Sequence, residues 1–275
     1  KSASGYDLTK LFVGSEGTLG VFTEITLKIT PRPTVVSTGM ASFGELVQAG
    51  QAVGEIMESG ILPSVCELLD KNTIQLLIDR AGLDLMPSEA MILVETDGCT
   101  PDETDFQMEK ILGIFERNGA VRIRKAESSE EAEELWKARR SIGSVLGSVM
   151  PNFLVEDVTV PVSKLTLLIR GIEDIARETQ VLIVNFGHAG DGNLHPHLLY
   201  DGKNREEAKK VEKATAALFH LTCELGGTLS GEHGIGLLKA PFMALEHDPA
   251  SLEVMRSLKR LIDPGNILNP GKMGL

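Results

Sequence analysis

The sequence has few of the features that mark disulfide-stabilised or membrane-spanning proteins. Its 275 residues include three cysteines, Cys66, Cys99 and Cys223, and none of them belongs to a CxxC pair. An odd number of widely spaced cysteines argues against a disulfide framework and a structural zinc finger, and favours the reducing cytoplasm as the location. No apolar run approaches the roughly 20 residues of a membrane helix. We therefore do not expect an integral membrane protein.

Positive charge is also scarce. Lys and Arg number 27 against 39 Asp and Glu, so the formal net charge is −12. Because binding a phosphate backbone requires a basic surface, nucleic acid is not an expected partner. The chain also lacks an initiator Met, and its first ten residues have neither the basic start nor the apolar core of a signal peptide. We therefore expect residue 1 to lie inside a longer protein.

From about residue 34 onward, strand-like and helix-like segments alternate. Strand-like stretches such as TVVSTGMASF and AMILVETDG are separated by amphipathic segments, several of which end at glycine. Two or three further helices are predicted at about 205–225 and 241–262. This pattern predicts an α+β fold, with an antiparallel sheet and helices packed on one face. A doubly wound parallel sheet is the rival, but no GxGxxG motif opens a helix after an early strand.

Residues 1–33 differ from the rest of the chain. A glycine-rich loop leads into VFTEITLKI (21–29), whose alternation predicts a strand, and two prolines follow it. The backbone N–H groups of such a loop can hold phosphate, but this loop lacks GK[ST] and leads into a strand, so the signal is weak by itself. We interpret 1–33 as the edge of a preceding domain and 34–275 as a second domain.

The segment VLIVNFGHAGDGNLHPHLLY (181–200) carries the strongest functional signal. Two apolar runs flank AGDG, whose glycines permit positive φ, and this predicts a β-hairpin. With a four-residue loop, His188 pairs with Asn193, and His195 and His197 lie on the same face as His188. The diagonal from His188 to His195 is about 7–8 Å between Cα atoms, so both imidazoles can reach one ion.

A third, anionic ligand is expected from SGEHGIG (230–236). Its glycines allow the backbone around Glu232 and His233 to approach a ligand closely. Two histidines and one carboxylate, here His188, His195 and Glu232, leave coordination positions open for a substrate oxygen. The structural alternative is that these histidines are ordinary residues and the glycines mark only a turn. Because four of the six histidines fall in two glycine-flanked motifs, a functional site is favoured.

The predicted helix around LWKARRSIG contains Arg139 and Arg140. One of these guanidinium groups could bind a carboxylate with two hydrogen bonds. By sequence alone, two solvated arginines on a helix surface remain the simpler interpretation. The other histidines, His220 and His247, lie in predicted helices, and we interpret both as structural.

Taken in order, four motifs resemble a known flavoenzyme family. GYDLTKLFVGSEGTLGVFTEITLKITPRP resembles the end of the FAD-binding domain in the vanillyl-alcohol oxidase superfamily, and GHAGDGNLHPH, SGEHGIG and DPGNILNPGK resemble the FAD-linked oxidase C-terminal domain. Members include the flavoprotein subunit of glycolate oxidase and FAD-dependent D-lactate and D-2-hydroxyglutarate dehydrogenases. The resemblance implies a remnant of a PCMH-type FAD-binding domain followed by a ferredoxin-like substrate domain.

The resemblance also implies roles for individual residues. His188, His195 and Glu232 match metal ligands, with zinc in some members and iron or manganese in others. His233 matches a proposed base, and Arg139 matches an arginine that binds the substrate carboxylate. The positions that match a loop lining FAD and a turn near the flavin are Gly14, Ser15, Glu16, Gly17, Thr18, Gly20 and Asn269.

The implied function is oxidation of a 2-hydroxyacid to the 2-oxoacid by hydride transfer to FAD. Where hydroxyglutarate-specific members bind a second carboxylate, this chain has Gly143 and Val155, with His197 in place of Asn, so glycolate or D-lactate is the expected type of substrate. An iron–sulfur or cytochrome protein is the expected electron acceptor, and a homodimer is one conceivable assembly. Because most of the flavin domain is missing, the chain alone should be inactive. The alternatives are a metal-dependent hydrolase and a non-catalytic docking module for an electron-transfer partner.

Overall fold

The computed structural model describes residues 3–275, which form two compact units. We call the chain up to Thr30 together with Thr228–Leu275 the terminal unit, and Pro31–Gly227 the sheet unit. The strands are β1 (Val35–Phe43), β2 (Val65–Asp70), β3 (Ala90–Gly98), β4 (Ala120–Lys125), β5 (Asn152–Val155), β6 (Val158–Thr159), β7 (Leu182–His188) and β8 (Asn193–Tyr200). The α-helices are α1 (Leu8–Phe12), α2 (Leu46–Glu58), α3 (Lys71–Ala81), α4 (Pro101–Arg117), α5 (Ser129–Val149), α6 (Leu165–Thr179), α7 (Arg205–Glu224), α8 (Met243–Glu246) and α9 (Pro249–Ile262).

The sheet unit is built on one antiparallel sheet. Its strand order is β4-β1-β3-β2-β7-β8-β5, and β6 pairs with β8 beside this path. Strands β1 to β4 with helices α2 and α4 follow the βαββαβ order of a ferredoxin-like fold, to which α3 adds a helix between β2 and β3. The prediction of an antiparallel α+β fold with a ferredoxin-like part is confirmed, and a doubly wound parallel sheet is excluded.

Helices cover both faces of this sheet. Met40 of β1 packs into a core with residues of α3 and α5, whereas its neighbour Gly39 lies against Met108 of α4. Successive residues of a strand point to opposite faces. The central strand β3 is buried at consecutive positions, Ala90–Val94, so apolar residues occupy both of its faces. The helices expected on one face therefore form two layers.

A buried carboxylate connects α3 to the sheet. Asp70 is the N-cap of α3 and accepts a hydrogen bond from the backbone N–H of Thr73 at 2.8 Å, and its second oxygen accepts one from Asn185 of β7 at 3.0 Å. Burial raises the pKa of the Asp70 carboxyl to about 6, although these hydrogen bonds act in the opposite direction. Asp70 therefore fixes the start of a helix while its ionised form is disfavoured by its surroundings.

The strand predicted over VFTEITLKI is wrong. Residues 21–30 have no regular secondary structure, and Val21, Ile25, Leu27 and Ile29 are all more than two-thirds exposed. A strand is stable only when a neighbouring strand satisfies its backbone groups. Within residues 3–275 this segment pairs with no strand. Its alternating sequence is therefore not sufficient to make it a strand.

The long helix predicted over 241–262 is interrupted. A 3₁₀ turn at Ala240–Phe242 leads into α8, which ends at Glu246, and α9 begins at Pro249. Asp248 caps α9 by accepting a hydrogen bond from the backbone N–H of Ser251 at 2.8 Å. Proline is favoured at the first position of a helix, because the backbone N–H at that position makes no hydrogen bond within the helix. Asp248 and Pro249 therefore start a new helix.

The terminal unit joins the two ends of the chain around a buried lysine. Lys259 donates to the carbonyl oxygens of Thr18 at 2.9 Å and Leu268 at 2.6 Å, and to the carboxylate of Asp263 at 2.5 Å. Its hydrogen bond lowers the pKa of Asp263 to about 2. The compact units therefore group 228–275 with the N-terminal loop, which differs from a split at residue 33. Assignment of 1–33 and 34–275 to two family domains stays a prediction.

Among residues 3–275, no helix combines the length and the apolar character needed to cross a bilayer.

Candidate functional site

The hairpin formed by β7 and β8 brings two histidines together. His188 pairs with Asn193, as predicted, and Phe186 pairs with His195. The ring centroids of His188 and His195 are 5.1 Å apart with the rings nearly perpendicular, and each ring offers a nitrogen within 4.8 Å of one on the other. Because neutral imidazole is a common ligand of divalent metals, this pair can contribute two ligands to one ion.

Sequence analysis missed Glu67, which lies beside these histidines. It is directly opposite His188 in the pairing of β2 with β7. One carboxylate oxygen forms a hydrogen bond with Nδ1 of His188, and the other accepts from Nε of Arg139 at 2.6 Å. The Glu67 side chain is only 6% exposed. The signal that could have revealed it is an acidic residue inside the otherwise apolar strand VCELLD.

Of the two candidate arginines, Arg139 belongs to this cluster. Its guanidinium group lies over the ring of Phe186, 4.7 Å from the centroid, and its side chain is 23% exposed. Nε is engaged by Glu67, while the terminal nitrogens make no hydrogen bond to the described residues. Arg140 is half exposed and pairs with Glu133 on the helix surface. The two terminal nitrogens of Arg139 are therefore available to donate hydrogen bonds to an anionic ligand.

A cleft opens next to this cluster. Its volume is about 680 Å³, and its walls include Glu67, Arg139, His188, Asp191 and Cys66. Burial raises the pKa of the Cys66 thiol to about 12, so this cysteine stays protonated at neutral pH. Because thiolates, not thiols, act as nucleophiles and metal ligands, we assign Cys66 a place in the wall of the cleft and no chemical role.

The positions expected to set substrate size lie in the sheet unit. His197 stacks on Phe186, with 4.5 Å between ring centroids, and pairs with Val155 of β5. Gly143 follows Arg139 by one turn of α5, and a Cβ atom added there would meet nothing within 4 Å. Gly143 and Val155 supply no polar side-chain group for a second carboxylate of the substrate, and His197 replaces the amide of an Asn.

In the terminal unit, Glu16 holds the glycine-rich motifs together. Its carboxylate accepts hydrogen bonds from the backbone N–H groups of Ile235 at 2.6 Å and Gly236 at 2.8 Å, both in SGEHGIG. Its carbonyl oxygen accepts one from the Asn269 side chain at 2.6 Å. Three motifs far apart in sequence are thus joined through one residue. Its role as an anchor for the 230–236 loop was not foreseen.

Glycine is required at position 17 of this cluster. Gly17 has φ +71°, and a Cβ atom there would lie 2.7 Å from Nδ2 of Asn269. Glu16 and Asn269 themselves have positive φ values of 51° and 42°. The loop therefore depends on left-handed backbone conformations, which cost free energy for residues other than glycine.

Four of the six residues matched to a FAD-lining loop border a pocket of the terminal unit. This pocket has a volume of about 430 Å³, and its walls include Gly14, Ser15, Thr18 and Glu232. The Ser15 hydroxyl is buried and has no hydrogen-bond partner among residues 3–275, so a ligand could satisfy it. Thr18 instead donates to the Ser15 carbonyl oxygen at 2.7 Å and shapes the turn. Gly20 packs close to Phe12.

Glu232 and His233 are neighbours in an exposed part of the terminal unit. Their side chains are about half exposed, and Nε2 of His233 lies 3.9 Å from a carboxylate oxygen of Glu232. The loop around them is also held by Ser230, whose hydroxyl accepts from the backbone N–H of Gly234 at 2.7 Å. The three-ligand metal set and the role of His233 as base remain predictions from sequence.

Comparison with known proteins identifies close sequence relatives. Glycolate oxidase subunit GlcD of Bacillus subtilis is 44% identical over 275 residues, which cover 99% of this chain and 58% of that protein. GlcD of Escherichia coli K12 is 35% identical over 98% of this chain and 54% of its own length. D-lactate dehydrogenase (cytochrome) from Arabidopsis thaliana mitochondria is 32% identical over 99% and 48%. The chain spans about half the length of these relatives.

Solved structures with a similar fold include p-cresol methylhydroxylase, with a TM-score of 0.69 and 15% identity over 89% of this chain and 54% of that one. Alkyldihydroxyacetonephosphate synthase has a TM-score of 0.66 and 18% identity over 98% and 51%. At these identities the likeness concerns the fold alone. Residues 32–273 match the family described as FAD linked oxidases, C-terminal domain. The motifs, the relatives and this match agree, and the chain belongs to the family of FAD-linked oxidase C-terminal domains.

Proposed function

We propose that this chain forms the substrate-binding and proton-accepting part of an FAD-dependent 2-hydroxyacid dehydrogenase. The observation that carries the proposal is the cluster in the sheet unit, where one carboxylate, Glu67, binds both Arg139 and His188. A guanidinium group that can bind a carboxylate thus lies beside an imidazole that can bind a metal. A 2-hydroxyacid has its carboxylate and hydroxyl on adjacent carbons, so it suits two such neighbouring groups. Relatives of the chain are named for glycolate and D-lactate.

The metal in this proposal is a divalent cation held by His188, His195 and Glu232, with zinc preferred over iron or manganese. Two imidazoles with ring nitrogens within 4.8 Å of each other fit such a cation. The hydrogen bond from His188 Nδ1 to Glu67 leaves Nε2 of that ring as the coordinating atom. Glu232 enters from the sequence pattern, since a carboxylate completes a site that keeps positions open for substrate.

The flavin in this proposal is FAD, placed against the loop Gly14–Gly20 and the turn at Asn269. The buried, unpartnered hydroxyl of Ser15 and the left-handed backbone at Gly14 and Gly17 are features that a bound ligand would use. When bound, FAD would supply the acceptor for a hydride from the substrate carbon, and a divalent cation would supply a positive charge that lowers the pKa of a nearby hydroxyl.

The remaining steps belong to side chains of the protein. Arg139 binds the substrate carboxylate through its terminal nitrogens, which orients the α-carbon. His233 accepts the proton of the α-hydroxyl, so that loss of this proton and of the α-hydride converts the 2-hydroxyacid into the 2-oxoacid. Gly143, Val155 and His197 favour a small substrate, glycolate or D-lactate, over one with a second carboxylate.

The location, the electron acceptor and the assembly of the protein are also proposed. We place the protein in the cytoplasm, with an iron–sulfur or cytochrome protein as electron acceptor and a homodimer as one assembly. A metal-dependent hydrolase and a non-catalytic docking module gain no support from the relatives, which are named as an oxidase subunit and a dehydrogenase.

The test is a substrate screen of the full-length protein. D- and L-2-hydroxyacids are supplied with an artificial dye as electron acceptor, and flavin content is measured by absorbance. We expect dye reduction with glycolate or D-lactate and little with D-2-hydroxyglutarate. Flavin-loaded protein that reduces no dye with any 2-hydroxyacid would contradict the proposal.

A further inference from the structure

We infer that Glu67 is a positioning residue that fixes the metal-binding imidazole of His188 and the carboxylate-binding guanidinium of Arg139 relative to each other. The inference rests on the proposed function and adds to it a residue to which no role was assigned. It also predicts a selectivity, because one rigid carboxylate sets the spacing between the two substrate-binding groups.

The position of Glu67 is determined by the sheet. Strand β2 lies between β3 and β7, and its register places Glu67 directly opposite His188. The side chain is 6% exposed, so only a small part of it is accessible to water from the cleft. Each oxygen has a separate partner, His188 Nδ1 for one and Arg139 Nε for the other. A central strand therefore holds two functional groups that come from β7 and α5.

The hydrogen bond to His188 has a direct consequence for metal binding. It selects the tautomer with the proton on Nδ1, so Nε2 carries the lone pair, and the carboxylate makes that nitrogen a better ligand. Loss of such a partner typically reduces metal affinity by about 10–100-fold. Glu67 thus supports the metal without being one of its ligands.

The contact with Arg139 has a consequence for the substrate. Glu67 holds one edge of the guanidinium group, and the ring of Phe186 packs against its face. These two contacts restrict the planar group and leave the terminal nitrogens for the substrate carboxylate. A guanidinium fixed beside His188 favours an acid whose hydroxyl lies on the carbon next to the carboxylate. A 3-hydroxyacid, with one carbon more between the two groups, should fit less well.

A purely structural role for Glu67 can be separated from this one by a matched control. Glu95 of β3 is also a strand carboxylate with two partners, accepting from Thr38 Oγ1 at 2.7 Å and from Trp136 Nε1 at 2.5 Å. Trp136 belongs to α5, the helix that carries Arg139. The side chain of Glu95 binds Thr38 and Trp136, so the neutral variant Glu95→Gln removes a comparable charge from a different pair of partners.

The experiment compares Glu67→Gln, Glu67→Asp, Glu95→Gln and His188→Ala in the full-length protein. Zinc affinity is measured by competition with a chelator. At saturating zinc, KM and kcat are then measured for lactate and 3-hydroxypropanoate, together with the unfolding temperature. We expect Glu67→Gln to bind zinc about 10–100-fold more weakly, to raise KM for lactate, and to lose part of the preference for lactate over 3-hydroxypropanoate. Glu67→Asp, which keeps the charge, should show a smaller loss, and Glu95→Gln should resemble the wild type in zinc affinity.

The outcomes separate the inference from the proposed function. If His188→Ala binds zinc as the wild type does, the proposed metal site is wrong. If His188→Ala loses zinc while Glu67→Gln and Glu67→Asp keep wild-type affinity and selectivity, only the role of Glu67 is wrong. Equal losses of zinc affinity in Glu67→Gln and Glu95→Gln would also overturn it, because they would reflect a general weakening of the sheet. Should Glu67→Gln fail to fold, Glu67→Asp decides by the same criteria.

Discussion

The two units hold their functional residues by different means. In the sheet unit, strand register places His188, His195 and Glu67, and each position is set by backbone hydrogen bonds along several residues. In the terminal unit, glycine-rich loops carry Glu232 and His233, and side chains such as Glu16 bind the loop backbone directly. Side chains on strands are held more rigidly than side chains on loops. The sheet unit should therefore tolerate loss of one contact better than the terminal unit.

The largest expected effect is on the chemistry assigned to the terminal unit. His233→Ala in the full-length protein should lower kcat for the 2-hydroxyacid by about 10²–10⁴-fold, since a general base contributes that much. Flavin absorbance should remain. His220→Ala is the matched control, because His220 is exposed on α7, and its kcat should equal that of the wild type. Near-normal turnover in His233→Ala would show that His233 is not the base.

A second prediction concerns the sheet unit and its buried carboxylate. Burial raises the pKa of Asp70 from 3.8 to about 6 in the folded state, so folding favours the protonated form. The stability contributed by this group is present in full below pH 3.8 and is lost as the pH rises through about 6. Between pH 4 and pH 7 the free energy of unfolding should fall by about 2 kcal/mol from this cause.

Denaturant unfolding of the wild type and Asp70→Asn at both pH values measures this effect. The variant cannot titrate at position 70. The free energy of unfolding of the wild type should therefore fall relative to that of the variant between pH 4 and pH 7. A difference that stays constant from pH 4 to pH 7 would mean that the hydrogen bonds from Thr73 and Asn185 cancel the effect of burial on the pKa of Asp70.

The third prediction tests whether the terminal unit depends on Glu16. Glu16→Gln removes the charge that binds the N–H groups of Ile235 and Gly236, and hydrogen bonds to a charged group contribute about 1.5–3 kcal/mol each. Hydrogen exchange at these two amides should accelerate by about tenfold or more. Glu24→Gln, at an exposed position of the same unit, should leave exchange unchanged. Unchanged exchange in Glu16→Gln would show that the loop is held by other contacts.

The smallest expected effects are on the free energy of unfolding, and they come from substituting one glycine in each unit. Gly17→Ala introduces a Cβ atom at φ +71° and 2.7 Å from Asn269, and should destabilise the protein by about 1–3 kcal/mol. Gly54→Ala lies inside α2 with nothing within 4 Å of the new atom, so it should stabilise by about 0.5–1 kcal/mol. Denaturant unfolding measures both, and changes of the same sign would contradict this contrast.

Local pattern predicted much of the sheet unit. The register of His188 with Asn193 followed from a four-residue loop between two apolar runs, because both strands are adjacent in sequence. Glu67 could not be placed, since its pairing with His188 joins residues 121 positions apart. Helix periodicity did not separate Arg139 from Arg140, the resemblance favoured Arg139, and the packing of α5 on the sheet places Arg139 in the cluster and Arg140 on the surface.

Sequence motifs by themselves determined the family of this protein and its antiparallel α+β character. They did so because these properties depend on local periodicity, turn chemistry and short sequence motifs. Only the tertiary structure decided that Glu67 connects His188 to Arg139, that Glu16 anchors the loop 230–236, and that VFTEITLKI does not form a strand. Each of these depends on which distant segment supplies the partner for a buried charge or a backbone N–H, and local sequence does not contain that information.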